Sequence, residues 1–318
     1  MRIELDKGAP VYVAGHRGLV GSGIHRKLIE KGHTNIITRT HDELDLINQA
    51  QVFDFFAEHK PHYVFLAAAT IGGIVANNLY RGQFIYENLA IQTNTIHAAH
   101  MNQTKKFIYV ASSCVYPKLA PQPMTEDCLL TGPLEPTNQP HAVAKLGGIE
   151  MCDAYHRQYG FEVVCGMSSN VYGLFDNFSP EAGHVLPAMI WKFHNAKINK
   201  LPSVELWGTG TPRREFILSD DLADALYFLA ENRHGNPKLI NIGLGADIPI
   251  KELAETIAKV VGFEGELIWD TSKPDGTPRK LMETSKLTEM GWKPLTSFED
   301  GLATTYAWFQ ENHATLRA

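Results

Sequence analysis

The chain has no stretch close to the roughly 18 uninterrupted apolar residues that a membrane-spanning helix needs. Its 318 residues include only four cysteines, Cys114, Cys128, Cys152 and Cys165, and none stands in C-x-x-C spacing. That pattern gives no support to a disulfide scaffold or a zinc cluster, so no metal is expected. Positive charge is also short. Lys and Arg number 29 against 35 Asp and Glu, for a net charge of −6. Nothing in that balance calls for nucleic acid or an anionic membrane as partner. Met1 to Pro10 contains no apolar signal-peptide core. Internal repeats and low-complexity linkers are absent. Apolar residues at 44% and charged residues at 20% exclude a wholly disordered chain. The expectation is a soluble, cytoplasmic, enzyme-sized protein of one large domain or two intimate ones.

Strand and helix signals alternate through the first half. Short apolar runs at 10–14, 35–38, 63–67, 107–111 and 161–167 read as strands. Helical spacing marks 18–31, 49–59, 88–101 and 141–159. Such alternation predicts a parallel sheet with helices on both faces. The second half is less regular. It has a polar loop at 175–183, helices at 186–195, 220–232, 250–261 and 298–312, and runs at 201–210 and 239–242. Ser297 is a plausible N-cap for the last helix.

Gly15-His16-Arg17-Gly18-Leu19-Val20-Gly21 follows the first strand and opens the first helix. The first glycine suits a tight turn, the second a close approach to a pyrophosphate, and the third the packing of helix on strand. The helix N-terminus then faces the phosphates. An acidic residue ending the second strand would favour NAD; Arg39 stands there instead, with Arg17 in the turn. Two guanidiniums suit a 2′-phosphate. The alternative is that Arg39 is a solvated surface charge.

The fourth strand ends in Ala111-Ser112-Ser113-Cys114, at the sheet edge where ligands bind in open α/β folds. His141 and Lys145 are i and i+4 on the following helix, so they share a face that can point beside Ser112. At these residues the chain resembles the extended short-chain dehydrogenase/reductase superfamily, and within it the GDP-L-fucose synthase family. The resemblance runs nearly end to end. It rests on Ala14 to Gly21, Gly72-Gly-Ile-Val-Ala-Asn-Asn78, Ser112-Ser-Cys-Val-Tyr-Pro-Lys118, Leu134-Glu-Pro-Thr-Asn138, His184-Val-Leu-Pro187 and Lys273-Pro-Asp-Gly-Thr-Pro-Arg-Lys280.

The resemblance implies a Rossmann-type doubly wound α/β fold with a smaller α+β substrate-binding domain. The cofactor domain is expected over 1–170, with 211–245 returning to it. The nucleotide-sugar domain is expected over 171–210 and 246–318. The implied reaction is NADPH-dependent 3,5-epimerisation and 4-keto reduction of a GDP-4-keto-6-deoxy sugar. Cys114 and His184 would exchange the C3 and C5 protons. Ser112 would bond the keto oxygen, and Lys145 the nicotinamide ribose. The implied NADP(H) site comprises Gly15 to Gly21, Arg39, His41, Val110, Ala111, Ser112, Ser113, Lys145, Ser168, Ser169, Asn170, Val171 and His184. Asn170, Lys192, Trp207, Arg214, Asp275 and Lys280 would take the GDP-sugar. A homodimer built on the helices at 88–101 and 141–159 is the family expectation.

The chain departs from that family at His141, where tyrosine is expected as proton donor. A neighbouring ammonium disfavours imidazolium, so reduction is expected to be impaired or to run through a water relay. Ser168-Ser169-Asn170 replaces Pro-Thr-Asn. Thr70 and His41 stand where relatives often carry Lys and Arg, which weakens the 2′-phosphate clamp. An epimerase without efficient reduction and a non-catalytic nucleotide-binding module are the competing readings. Cys152 and His156 lie at i and i+4 but lack a third ligand. His97 and His100 read as a packing face, and Arg213 with Arg214 as either a solvated charge pair or a diphosphate contact.

Overall fold

Alternate residues along the inner strands part into two apolar layers. Tyr12, Ala14, Val64, Leu66, Phe107, Tyr109, Cys165 and Met167 pack on one face. Val11, Val13, Tyr63, Phe65, Ile108, Val110 and Val164 pack on the other. This period of two is what a strand imposes, and burial on both faces explains why the runs read as continuously apolar. The computed structural model describes residues 3–232, 239–273 and 275–316.

The first half contains β1 (Val11–Ala14), α1 (Leu19–Glu30), β2 (Ile36–Ile37), α2 (Gln49–His59), β3 (Tyr63–Leu66), α3 (Ile74–Leu79), α4 (Arg81–Met101), β4 (Lys106–Ser112), α5 (Gln139–Tyr159) and β5 (Val163–Ser168). Then come β6 (Asn170–Tyr172), α6 (Val185–Ile198), β7 (Ser203–Trp207), β8 (Arg213–Arg214), β9 (Phe216–Leu218), α7 (Ser219–Ala230) and β10 (Leu239–Ile242). The chain finishes with β11 (Ile248–Pro249), α8 (Ile250–Val261), β12 (Glu266–Asp270), β13 (Arg279–Lys280), α9 (Ser285–Glu289) and α10 (Phe298–Asn312).

The central sheet is six-stranded in the order β10-β5-β4-β3-β1-β2, and its pairs are parallel. Helices cover both faces, as the alternation predicts. The order reverses between β1 and β3, which opens a crevice at the carboxyl ends of the strands. A third apolar cluster, with Leu186, Phe193, Phe216, Leu253, Ile257, Leu302 and Phe309, forms a second body from α6, α8 and α10. Residues 281–292 return to the first body. Met282 packs in one of its layers, and Leu287 and Trp292 in the other.

Local signals set several boundaries. Gly160, at φ 68°, closes α5 in the left-handed region. Ser297 accepts the Asp300 N–H at 3.1 Å and starts α10. The helix expected from residue 88 begins instead at Arg81. In its first turns Tyr86 faces solvent while Phe84 is buried, so the apolar stripe is thin there. His97 and His100 do pack, but within the chain: His97 reaches the Tyr155 hydroxyl at 2.8 Å, and His100 stacks on Tyr159 at 4.4 Å. Cys152 is buried beside Cys165, whereas His156 turns to the Phe161 carbonyl at 3.0 Å, so the two do not act together. Among the described residues no group of His, Cys, Asp or Glu is arranged to hold a metal, and no helix is long and apolar enough to cross a membrane.

The helix carrying His141 and Lys145 is locked to β4 and α4 by one polar knot. The Tyr109 hydroxyl donates to Gln92 Oε1 at 2.7 Å, and Gln92 Nε2 donates to the Ala144 carbonyl at 2.5 Å. Gly148 makes room for this knot, since a Cβ there would lie 2.3 Å from the Tyr109 oxygen. Gly148→Ala is expected to destabilise the protein by about 1–3 kcal/mol through overpacking. Urea unfolding checks it, and an unchanged midpoint would refute the close fit.

Candidate active site

The glycine turn has the shape that the sequence suggests. Gly15 has φ +83°, and a Cβ on it would lie 2.8 Å from the Ala68 backbone. A Cβ on Gly21 would lie 2.1 Å from the Gly15 carbonyl oxygen. The N-cap residue Gly18 offers no side-chain cap, so the first N–H groups of α1 stay available to an anion. His16 has a buried Nδ1 without a partner. Burial, followed by His25 and Arg17, lowers its pKa, so the ring is neutral near pH 7. Leu19 and Val20 are half-buried beside the turn.

The two arginines of the expected clamp differ. Arg17 is exposed on the turn. Arg39 is turned onto α2, donating to the Thr38 carbonyl at 2.8 Å and lying 3.0 Å from His59 Nε2, with its guanidinium over Phe55. It lines a hollow of about 390 Å³ with Asp42, Glu43, Asp54 and Glu58. His41 is exposed, 3.9 Å from Asp45.

At the carboxyl end of β4 several chemically active groups converge. Lys145 is buried and donates to the Val110 carbonyl at 2.8 Å, with its ammonium over the Tyr109 ring. Burial brings its pKa down to about 8. Cys114 is buried beyond the strand end. Burial raises its pKa, and Lys280, the Ser112 hydroxyl and Lys145 pull it back. Lys280 is thus the strongest cation acting on this thiol, and it comes from a strand that the sequence pattern did not reveal.

His141 is 3% exposed, and its Nδ1 has no partner. Burial first, then Lys145 and His184, push its pKa down to about 3. The sequence points to the Lys145 contribution but not to the larger one of burial. His184 occupies the N-cap of α6. The residue is exposed, yet the protein atoms around its ring desolvate it and lower its pKa. Thr70 is fixed by Asn88, which accepts its N–H at 2.9 Å and donates to its carbonyl at 2.7 Å.

The remaining expected residues divide by whether their polar atoms are committed. Ser168 Oγ donates to the Ala111 carbonyl at 3.1 Å, while the buried Ser169 hydroxyl has no partner. Ser113 is buried, and Val171 packs under the sheet. Asn170 is spent on the Glu215 carbonyl at 2.7 Å. Trp207 is exposed, with the ammoniums of Lys192 and Lys273 within 6 Å of its ring. Asp275 accepts from both the N–H and the hydroxyl of Thr209, at 2.9 and 2.8 Å. Arg213 and Arg214 part company. Arg213 pairs with Asp247, and Arg214 donates to the Arg213 carbonyl at 2.8 Å.

Two acidic residues behind this site escaped the sequence reading. Glu215 is 1% exposed and accepts from Gly245 N at 2.7 Å and Met282 N at 3.1 Å. Burial lifts its pKa to about 7 against those bonds. Asp247 gathers two arginines. Neither lies in a motif: Glu215 stands between Arg214 and Phe216, and Asp247 between Ala246 and Ile248.

Comparison with known proteins now bears on this geometry. Residues 11–243 match the NAD dependent epimerase/dehydratase family. The chain belongs to that family. It is 55% identical over 307 residues to GDP-L-fucose synthase 1 of Arabidopsis thaliana, covering 96% of this chain and 95% of that protein. It is 50% identical over 315 residues to GDP-L-fucose synthase of Escherichia coli, covering 96% and 98%. A solved structure, MlghC, a GDP-mannoheptose C4 reductase from Campylobacter jejuni with NADP bound, superposes with a TM-score of 0.89 at 39% identity, covering 96% and 100%. The epimerase/dehydratase match ends at residue 243, just after β10, so the whole central sheet lies within it.

The buried imidazole leads to a pH prediction. Folded His141 resists protonation down to about pH 3, while the unfolded residue protonates near 6.5. Below about 6.5 the unfolded state therefore binds the extra proton, and stability falls with pH. The slope is up to about 1.4 kcal/mol per pH unit. His141→Phe is expected to flatten the stability profile between pH 6 and 4 in urea titrations. An unaltered slope would show that His141 is protonated in the folded protein.

Proposed function

We propose that the chain converts GDP-4-keto-6-deoxy-D-mannose to GDP-L-fucose with NADPH, by 3,5-epimerisation followed by 4-keto reduction. One observation carries this reading: the Cys114 thiol sits under the combined influence of Lys280, Ser112 and Lys145. Burial still holds its pKa above the ordinary thiol value, but these groups offset part of that rise and set donors for a keto oxygen beside it. Relatives named GDP-L-fucose synthase, aligned over nearly the whole chain, supply the substrate class.

The glycine turn fits a dinucleotide, because backbone occupies the space that any Cβ would fill. Gly15 to Gly21, with Arg17, Arg39 and His41, would hold its adenosine and phosphates. Val110, Ala111, Ser112, Ser113, Lys145, Ser168, Ser169, Asn170, Val171 and His184 would line the nicotinamide end. When bound, NADPH supplies the hydride that reduces C4. The sugar's 4-keto group makes the protons on C3 and C5 acidic. Inversion needs one group to take each proton and another to return it on the opposite face, and Cys114 and His184 do this through an enediolate. The Ser112 hydroxyl and the Lys145 ammonium donate to the developing oxyanion. Lys192, Trp207, Arg214, Asp275 and Lys280 receive the nucleotide. The first body, 1–170 with 211–245 and the returning 281–292, is the cofactor side; α6, α8 and α10 build the substrate side. Exposed Tyr86, Leu89 and Val143 support a homodimer through α4 and α5.

A second reading rests on His141, in place of the tyrosine expected there. A neutral imidazole has little acid strength near pH 7, so reduction is slowed while epimerisation survives. NMR of the product from the 4-keto sugar plus NADPH tests the overall reaction. Deuterium uptake at C3 and C5 in heavy water is expected, and its absence would sink the epimerase assignment. In single-turnover NADPH oxidation, His141→Tyr is expected to be faster by about 100-fold, the size of a general-acid contribution. Equal rates in the two proteins would remove the second reading.

A further inference from the structure

Strands β8 and β13 are only two residues long and pair in parallel, with Arg213 opposite Arg279 and Arg214 opposite Lys280. Successive side chains on a strand point to opposite sides. The pairing therefore sorts four cations into two couples. On one side Arg213 and Arg279 meet Asp247. Arg213 Nε donates to Oδ1 at 2.9 Å and Nη2 to the Asp247 backbone carbonyl at 2.7 Å. Arg279 Nε donates to Oδ2 at 2.5 Å, with Nη2 3.4 Å from Oδ1. The Asp247 side chain is 3% exposed. Burial alone would raise its pKa, but its bonds to Arg279 and Arg213 outweigh that and hold it ionised.

On the other side the couple has no bonded carboxylate among the described residues. Among the described residues, neither Arg214 nor Lys280 forms an ion pair. Desolvation lowers the pKa of both; at Lys280 Cys114 and Glu135 offset part of this, and Arg214 adds to it. Lys280 also acts on Cys114, which marks this side as the cleft. Two facing like charges repel, and strands of two residues have few ladder bonds to resist. Two backbone bonds join them, Arg213 N to the Pro278 carbonyl at 2.8 Å and Glu215 N to the Lys280 carbonyl at 3.3 Å. To these the buried carboxylate adds charge-assisted bonds from both strands at once.

We infer that Asp247 is a positioning residue for substrate binding: by gripping Arg213 and Arg279 behind the strands, it commits Arg214 and Lys280 to the cleft as a receptor for the diphosphate. The inference rests on the reading that Arg214 and Lys280 meet that diphosphate. Asp247 touches no substrate itself. Its effect is selective, because the glycine turn is built from other elements.

The test compares GDP and NADPH affinities by calorimetry, with steady-state kinetics, for Asp247→Asn, Asp247→Glu and Lys280→Met. Asp247→Asn is expected to weaken GDP binding by about tenfold, the size of one charged hydrogen bond. It should raise KM for the GDP-sugar alike, with NADPH affinity held within about twofold. Asp247→Glu, which keeps the charge, should recover part of the loss. Unchanged GDP affinity in Asp247→Asn, while Lys280→Met weakens it, overturns the positioning role. An equal loss of NADPH affinity also overturns it, as general damage. Unchanged GDP affinity in Lys280→Met instead removes the diphosphate reading underneath. If Asp247→Asn does not fold, Arg279→Leu cuts one arm of the grip and is expected to weaken GDP binding by about threefold; no change there overturns the proposal.

Discussion

The cleft depends on positive charge held out of water with no carboxylate bonded to it among the described residues. Lys145 rests on a backbone carbonyl and the face of Tyr109. Arg214 and Lys280 face each other, and His141 and His184 are kept neutral beside them. Such an arrangement is costly to fold and loses its penalty only when an anion arrives. The proposed substrate brings one as a diphosphate and forms another during reaction, as an enediolate. The buried Cys114 thiol, ionised, would add a negative charge among them.

That charge distribution explains how an acidic chain accommodates two phosphorylated ligands. Its carboxylates are not removed but spent elsewhere. Asp247 is taken by two arginines, Asp275 by Thr209, and Glu135 by Lys118 at 2.9 Å. Glu215, whose pKa is lifted toward neutrality, is tied to backbone N–H groups. Asp247 and Glu135 are paired with cations, while neutral donors hold Asp275 and Glu215 in place, so none of the four is bonded to Arg214 or Lys280.

Where the sequence was legible, the information was local. The helices at Gln49–His59, Ile250–Val261 and Phe298–Asn312 and the strand at Leu239–Ile242 match the pattern read from the residues, because periodicity and caps lie within the segment. Ser112, Cys114, His141, Lys145 and the glycine turn could be singled out because a strand end and an i, i+4 spacing bring them together. The strands β8, β11 and β13 could not. Two residues carry no period, and each exists only because another segment pairs with it. Asp247 and Glu215 were invisible for the same reason: their partners are far away in the chain. Arg39 was visible but its direction was not, since Phe55 and His59 on the next helix turn it.

The outermost strand β10 is made only after the whole of α6 and β7 through α7 has been synthesised. Until then β5 is an open edge, and the sheet face beneath α7, with Ile108, Val110 and Val164, is uncovered. An emerging chain must therefore shelter an exposed edge and an apolar surface while it builds part of its second body. Interleaving the two bodies in one chain makes the cleft between them a product of late synthesis. Neither ligand site is complete before the other's scaffold has begun to fold.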